Sequence, residues 1–207
     1  MRLRNNEKVP DRRRTRDMTR IGLLVALGTV LNLAEIPLPR MIFPWAKPGL
    51  ANQATLIGIV LLGPAAGLVI AVLRSLLSNL LLGLLFSPGF VLSLIGSVAS
   101  AGVMGLFFKY GNCVLPFRQE TEVSTGLVCR RAGKRFSIIS ISVVGALVHN
   151  SMQLLVAYVL LVQHWGVWLH LPPMIVVGVA TGLFNGLMAS LLLRVLKDRP
   201  LSDSGRD

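Results

Sequence analysis

The sequence predicts an all-α membrane protein, a bundle of six transmembrane helices with its N-terminus and C-terminus both in the cytoplasm. Two observations on composition place the chain in a membrane. Of the 207 residues, 53% are hydrophobic and 14% are charged, and the mean hydropathy is +0.68, which leaves too little polar surface for a soluble domain. The third observation is that the apolar residues form six separate stretches, most of them close to the roughly 20 residues that a spanning helix needs.

The six predicted helices follow one another with short breaks. The first stretch comes after a basic segment, but it is interpreted as a retained helix because no small-residue cleavage site follows it. The second stretch is short, and only Gly63-Pro64 separates it from the third, so a half-span or a re-entrant segment is an alternative interpretation. The predicted spans are 20–36, 50–62, 65–86, 90–108, 136–162 and 172–195.

The positive charges predict the orientation of these helices. The net charge is +12, and 18 of the 21 Lys and Arg residues fall in three blocks, at 1–20, 109–135 and 194–207. Six spans place all three blocks on the cytoplasmic side, where positive residues concentrate, whereas five spans would bring at least one block across. The predicted organisation is a basic tail (1–19), a six-helix membrane domain (20–196) containing the basic loop 109–135, and a second tail (197–207). Because the blocks do not form one continuous surface, no nucleic-acid partner is expected.

Arg74 lies in the middle of the third predicted span. A cation at the bilayer centre costs at least about 2.5–3.5 kcal/mol, so the side chain is expected to face the protein interior or a water-filled cavity. The only acidic residue within the predicted spans is Glu35, at the outer end of the first. One interpretation is a structural ion pair between Arg74 and Glu35. The other is that the planar guanidinium binds a carboxylate or phosphate of a ligand.

Other polar residues recur at the depth of Arg74. Helical spacing places Ser78 on the same face of the third span as Arg74. A cluster of polar residues, His149, Asn150 and Gln153, lies in the middle of the fifth span. A hydrogen-bonded network that only ties the helices together is the alternative interpretation, while Arg40 and Lys47 in the first outward loop could attract an anion. The predicted ligand-binding residues are Arg74, Ser78, Asn79, His149, Asn150, Gln153, Lys47, Asn52 and Arg40.

Small residues spaced four apart predict close helix contacts. Gly178, Gly182 and Gly186 are expected to pack inside the bundle, whereas Gly22 and Ala26 on the first helix could instead contact a separate partner. The two cysteines have neither a nearby histidine nor CxxC spacing, so neither a metal nor a cofactor is expected.

Three segments carry a resemblance to a known family. The segments 47–52 (KPGLAN), 87–90 (SPGF) and 149–153 (HNSMQ) resemble the bacterial membrane family named either heptaprenyl diphosphate synthase component I or Gx transporter, over roughly 20–196. That family is similar in size and helix count to the S components of energy-coupling factor transporters. The resemblance implies a multi-pass protein of the bacterial plasma membrane that encloses a small molecule beneath its first outward loop. It also implies coupling and ATPase subunits as partners, contacted by small residues of the first helix.

The sequence therefore supports two alternative functions. The first is a substrate-binding membrane component of a transporter for an anionic or polar solute, whose energy must come from other subunits because the chain has no Walker A motif. The second is a membrane partner of a soluble prenyl diphosphate synthase in isoprenoid or quinone synthesis. This partner would not be catalytic, because the chain lacks the clustered aspartates that hold magnesium against a diphosphate.

Overall fold

A computed structural model describes residues 12–35, 49–110, 112–114 and 135–198. Within these ranges the chain forms six α-helices, and two three-residue strands pair in parallel at the connection between the fourth and fifth helices. A π-helical turn (Tyr158–Val162) continues the fifth helix, and a 3-10 turn (Trp165–His170) leads into the sixth. The helices are α1 (Arg12–Ala34), α2 (Asn52–Leu62), α3 (Pro64–Leu81), α4 (Pro88–Tyr110), α5 (Ile138–Ala157) and α6 (Leu171–Asp198), and the strands are β1 (Asn112–Val114) and β2 (Arg135–Ser137).

The predicted number of helices agrees with the structure, but α2 differs from the others in length. Five helices of the described chain are long and apolar enough to cross a membrane. The 11 residues of α2 make a helix of about 16 Å, roughly half of the hydrocarbon thickness of about 30 Å. The half-span interpretation of this stretch therefore fits better than a full crossing.

The short helix α2 is enclosed by the rest of the bundle. It contacts all five other helices, and the side chains of Ala54, Leu56, Ile57 and Ile59 are at most 1% exposed. A tight turn joins α2 to α3, with Gly63 at a φ of 95° and a proline in the first turn of α3, where a missing N–H has no cost. Because Asn52, its first residue, contacts Arg74 in the middle of α3, α2 begins inside the bundle.

Successive helices alternate in direction along the chain. One end of the bundle consequently holds five parts of the chain: the start of α1, the α2–α3 turn, the end of α4, the start of α5 and the end of α6. The exposed cations Arg14, Arg16, Arg20 and Lys109 are at this end, which we call the basic end. The contacting pairs that fix these directions are Gly28 with Arg74, Asn32 with Ser78, Gly58 with Ile70, Gly67 with Ile59, Gly105 with Pro64, Ser75 with Ser97, Gly96 with Gln153, Ser100 with Gly145, Asn150 with Met174, and Gly186 with Ile139.

The glycines of α6 pack against α5, as predicted. A Cβ atom added to Gly182 would lie 2.6 Å from the Cα of Val143, and one added to Gly186 would lie 2.7 Å from the Cα of Ile139. The two backbones approach so closely that any side chain at these positions would separate the helices. Packing of this kind drives helix association in lipid, where no hydrophobic difference between solvent and side chain exists.

Candidate functional site

The guanidinium of Arg74 is buried among oxygen acceptors from two other helices. The side chain is 2% exposed. Its Nε donates to Thr55 Oγ1 at 3.1 Å, and one terminal nitrogen donates to Asn52 Oδ1 at 2.6 Å and to Ser97 Oγ at 3.2 Å. The expectation that this cation faces the protein interior is therefore confirmed. The contacts tie α3 to α4 and to the first turn of α2.

Glu35, directly after α1, brings the opposite charge to the same place. The residue is 6% exposed, and its Oε1 accepts a hydrogen bond from the backbone N–H of Ala51 at 3.2 Å. Ala51 is the residue before α2, so the carboxylate also lies at the positive end of that helix. The structure therefore holds Glu35 and Arg74 through adjacent residues at the start of α2, which is the arrangement that the ion-pair interpretation of Arg74 requires.

The entry to α2 is also connected to α6. The carbonyl oxygen of Gly49 accepts from the backbone N–H of Asn52 at 3.0 Å and from Asn185 Nδ2 at 2.9 Å. Since Asn52 also accepts from Arg74, a continuous series of hydrogen bonds runs from α6 through the start of α2 to α3 and α4. We call this series, together with Glu35, the central network.

Ser78 and Asn79, both predicted site residues, are buried beyond Arg74 on α3. The Oγ of Ser78 donates to the carbonyl of Arg74 at 2.7 Å and accepts from Asn32 Nδ2 at 2.7 Å. Asn79 Nδ2 donates to the carbonyl of Ser75 at 2.7 Å. The bond of Asn79 lies within α3, whereas Ser78 joins the carbonyl of Arg74 to Asn32 of α1.

The three predicted residues of α5 divide between two surfaces. His149 and Gln153 lie against Gly96 of α4, where an added Cβ atom would be 3.0 Å from His149 Nδ1 and 3.1 Å from Gln153 Cγ. Gly96 precedes Ser97, an acceptor of Arg74, so this pair lies beside the central network, at the predicted depth. Asn150 instead donates from Nδ2 to the carbonyl of Met174 at 3.2 Å, and so it ties α5 to α6.

Three amide atoms around the central network are buried and have no hydrogen-bond partner within the described chain. They are Asn52 Nδ2, Gln153 Oε1 and Asn185 Oδ1. Each such atom costs about 1–3 kcal/mol, and native proteins satisfy most buried polar groups. One free donor and two free acceptors are therefore available here to a bound molecule.

The remaining predicted positions lie away from this network or outside the described residues. Arg40 and Lys47 fall outside them. Gly22 and Ala26 are on the exposed face of α1, and a Cβ atom added to Gly22 would meet nothing within 4 Å among the described residues. No group of three or more His, Cys, Asp or Glu that could hold a metal ion occurs in the described ranges.

Sequence reasoning did not include Thr55 and Asn32 in the site. Thr55 follows Asn52 by three residues, so helical spacing places both on one face of α2. Asn32 is a lone amide one turn after Gly28, which packs on the side chain of Arg74. Both signals were present in the sequence, but neither identifies its partner.

Comparisons with known proteins bear on the fold and the family. A family described as heptaprenyl diphosphate synthase component I matches residues 24–118 and 121–192. A solved structure described as "Structure and mechanism of the S component of a bacterial ECF transporter" is similar, with a TM-score of 0.63 and 17% identity, over 89% of this chain and 97% of that one. No curated protein matches the sequence. At this identity the structural likeness concerns the fold alone.

Proposed function

Since the chain belongs to the heptaprenyl diphosphate synthase component I family and has the fold of a transporter S component, we propose that it is the substrate-binding membrane component of a small-molecule transporter. The proposed binding site is the central network with the neighbouring His149 and Gln153. The proposed solute is a small polar or anionic molecule. Energy would come from separate coupling and ATPase subunits.

One observation carries this proposal, the half-length helix α2 that starts inside the bundle. Non-helical backbone at membrane depth is tolerated only where protein buries it or where it lines a cavity. In transporters, interrupted helices of this kind place their ends at the substrate site near the middle of the bilayer. The backbone of Gly49 and Ala51 leads into α2 beside Arg74, with unsatisfied amides around it.

The distribution of charge supplies the proposed orientation. Positive residues concentrate on the cytoplasmic side, so the basic end would face the cytoplasm of a bacterial cell. The segment 36–48 and the end of α5 would then face outward, and a solute would enter from that side. Arg40 and Lys47 would attract it, and the exposed face of α1 with Gly22 and Ala26 would contact the coupling subunit.

The test measures which small molecule copurifies with the protein. Protein solubilised gently from membranes is extracted with methanol, and the extract is compared by mass spectrometry with that of a variant carrying both Arg74→Met and Glu35→Gln. This pair of changes removes both charges together and so leaves neither one buried alone. A matched control is Ser190→Ala, because Ser190 is buried and, among the described residues, its hydroxyl bonds within α6.

We expect a small molecule enriched in the wild type and in the control, and lost from the double variant. Equal amounts in all three proteins, with the double variant folded, would contradict the assigned site. Absence of any enriched molecule from the wild type would contradict the proposed function itself.

A second candidate function has separate support. The matched family is described as a component of a prenyl diphosphate synthase, and exposed cations of the basic end suit the docking of a soluble enzyme. The chain would then be a non-catalytic membrane partner. This candidate predicts that a prenyl synthase copurifies with the chain and that replacement of 115–134 by a Gly/Ser linker of equal length releases it. The transport proposal predicts that this replacement leaves the bound solute in place.

A further inference from the structure

The charge balance of the central network bears on the class of solute, and the inference that follows rests on the proposed function. Two consecutive residues at the start of α2 hold opposite charges. The backbone of Ala51 donates to the Glu35 carboxylate at 3.2 Å, and the side chain of Asn52 accepts from Arg74 at 2.6 Å. The carboxylate and the guanidinium are thus both bound at the start of α2, by adjacent residues.

Glu35 occupies the place that an anionic ligand would take. The N-terminus of a helix carries a partial positive charge of about half a unit and attracts anions. Helix α2 has no acidic residue in its first turn, and the side chain of Ala51 cannot cap it. The carboxylate therefore comes from the end of α1, 16 residues away along the chain. A ligand carboxylate or phosphate would have to compete with Glu35 for the same positive groups.

The unsatisfied amides favour a ligand that donates hydrogen bonds. Gln153 Oε1 and Asn185 Oδ1 are acceptors, and Asn52 Nδ2 is a donor. The side chains of these residues are 2%, 1% and 6% exposed, so bulk solvent does not satisfy them. An ionised carboxylate only accepts hydrogen bonds, so it could serve Asn52 but neither of the two acceptors. A molecule with two N–H or O–H donors and one acceptor has the groups to serve all three.

We propose that the site binds an uncharged or zwitterionic polar molecule with at least two hydrogen-bond donors, and that Glu35 is the built-in counterion of Arg74. This narrows the anionic or polar solute of the proposed function to the polar, non-anionic class. It also explains why a cation and an anion are both buried where a ligand is bound. Neither charge is left for the solute to neutralise.

The test uses inorganic phosphate as the probe anion. Thermal unfolding in detergent is measured for the wild type, Glu35→Gln, and the double variant with Arg74→Met, each titrated with phosphate and with sodium chloride at equal ionic strength. We expect phosphate and chloride to act alike on the wild type. Glu35→Gln should gain a saturable, phosphate-specific rise of about 3–6 °C at a tenfold excess over the dissociation constant, and the double variant should lose it.

Two outcomes would overturn the proposal. One is a phosphate-specific, saturable stabilisation of the wild type, and the other is a folded Glu35→Gln protein that gains none. If Glu35→Gln does not fold, the wild-type titration still decides, together with the electrophoretic mobility at neutral pH of any solute that copurifies. A net anion would overturn the proposal, and a neutral or zwitterionic solute would support it. If no solute copurifies, the proposed function fails, while the phosphate titration tests the charge balance separately.

Discussion

Replacement of Arg74 by methionine should destabilise the protein strongly, and replacement of Glu35 by glutamine in the same chain should restore much of the loss. Arg74→Met alone leaves the Glu35 carboxylate buried without its counterion, and breaking a buried pair in this way costs about 3–5 kcal/mol. It also removes the donor to Asn52, Thr55 and Ser97. With Glu35→Gln added, the buried charge disappears. The remaining loss should be about 2–6 kcal/mol, because the acceptors of Asn52 and Thr55 each lose a donor at about 1–3 kcal/mol, while Ser97 still accepts from Ser75.

The assay is equilibrium unfolding in mixed micelles, followed by tryptophan fluorescence, for the wild type, both single variants and the double variant. The free energies give a double-mutant cycle, which isolates the coupling between the two residues. A control is Arg20→Met, because Arg20 is exposed and its pair with Asp17, at 3.8 Å, is a surface contact worth about 0–1 kcal/mol. If the losses from Arg74→Met and Glu35→Gln simply add, the two charges are independent and the reasoning is refuted.

Three further predictions concern packing, the amide acceptor and orientation. Gly182→Leu should separate α5 from α6 and destabilise the protein by at least about 1–3 kcal/mol, whereas Gly22→Leu on the exposed face of α1 should change thermal stability little; equal effects would contradict the assigned contacts. Gln153→Leu removes an unsatisfied buried oxygen, so thermal stability should stay level or rise while the copurified solute falls, and an unchanged amount of solute would exclude Gln153 from the site. In a cysteine-free background, a membrane-impermeant maleimide added to intact cells should label Trp165→Cys and leave Arg16→Cys unlabelled, since these residues lie at opposite ends of the bundle; the reverse pattern would invert the proposed orientation.

The helices were largely predictable because lipid leaves the backbone few alternatives. The residues at which the helices begin and end were harder to predict. The third span was predicted to reach residue 86, but α3 ends at Leu81. Gly83 and Phe86 then adopt positive φ values of 66° and 71°, which a helix does not allow. An apolar sequence predicts that a segment lies in the membrane. It does not predict the residue at which the helix ends.

Burial of Arg74 could be predicted from its position alone, because a lipid-facing cation at that depth is too costly. The residues that hydrogen-bond to Arg74 could not be predicted in this way. The bond from Ala51 to Glu35 joins residues on either side of the segment 36–48, and the bond from Asn185 to Gly49 joins residues 136 positions apart. Such contacts depend on how α2 is enclosed, which helical periodicity does not determine.

The three residues of the predicted polar face of α5 are all buried, but His149 and Gln153 lie against α4 whereas Asn150 contacts α6. Adjacent helical residues point about 100° apart, and this rotation directs Asn150 to α6, where it bonds the carbonyl of Met174. The sequence identified the polar face of α5. Which of its residues contact α4 and which contact α6 depends on how these helices pack. Residues that share an arc can therefore serve two different neighbours.

Native mass spectrometry of the intact wild-type protein, released from detergent or lipid nanodiscs, tests the central claim most directly. The claim is that this chain holds a small polar solute in the central network beside Arg74 and Glu35. We predict a protein peak that carries one small-molecule adduct, with that adduct missing from the folded Arg74→Met and Glu35→Gln double variant. A wild-type peak without any adduct, or a complex with a prenyl synthase that carries no small molecule, would contradict the claim.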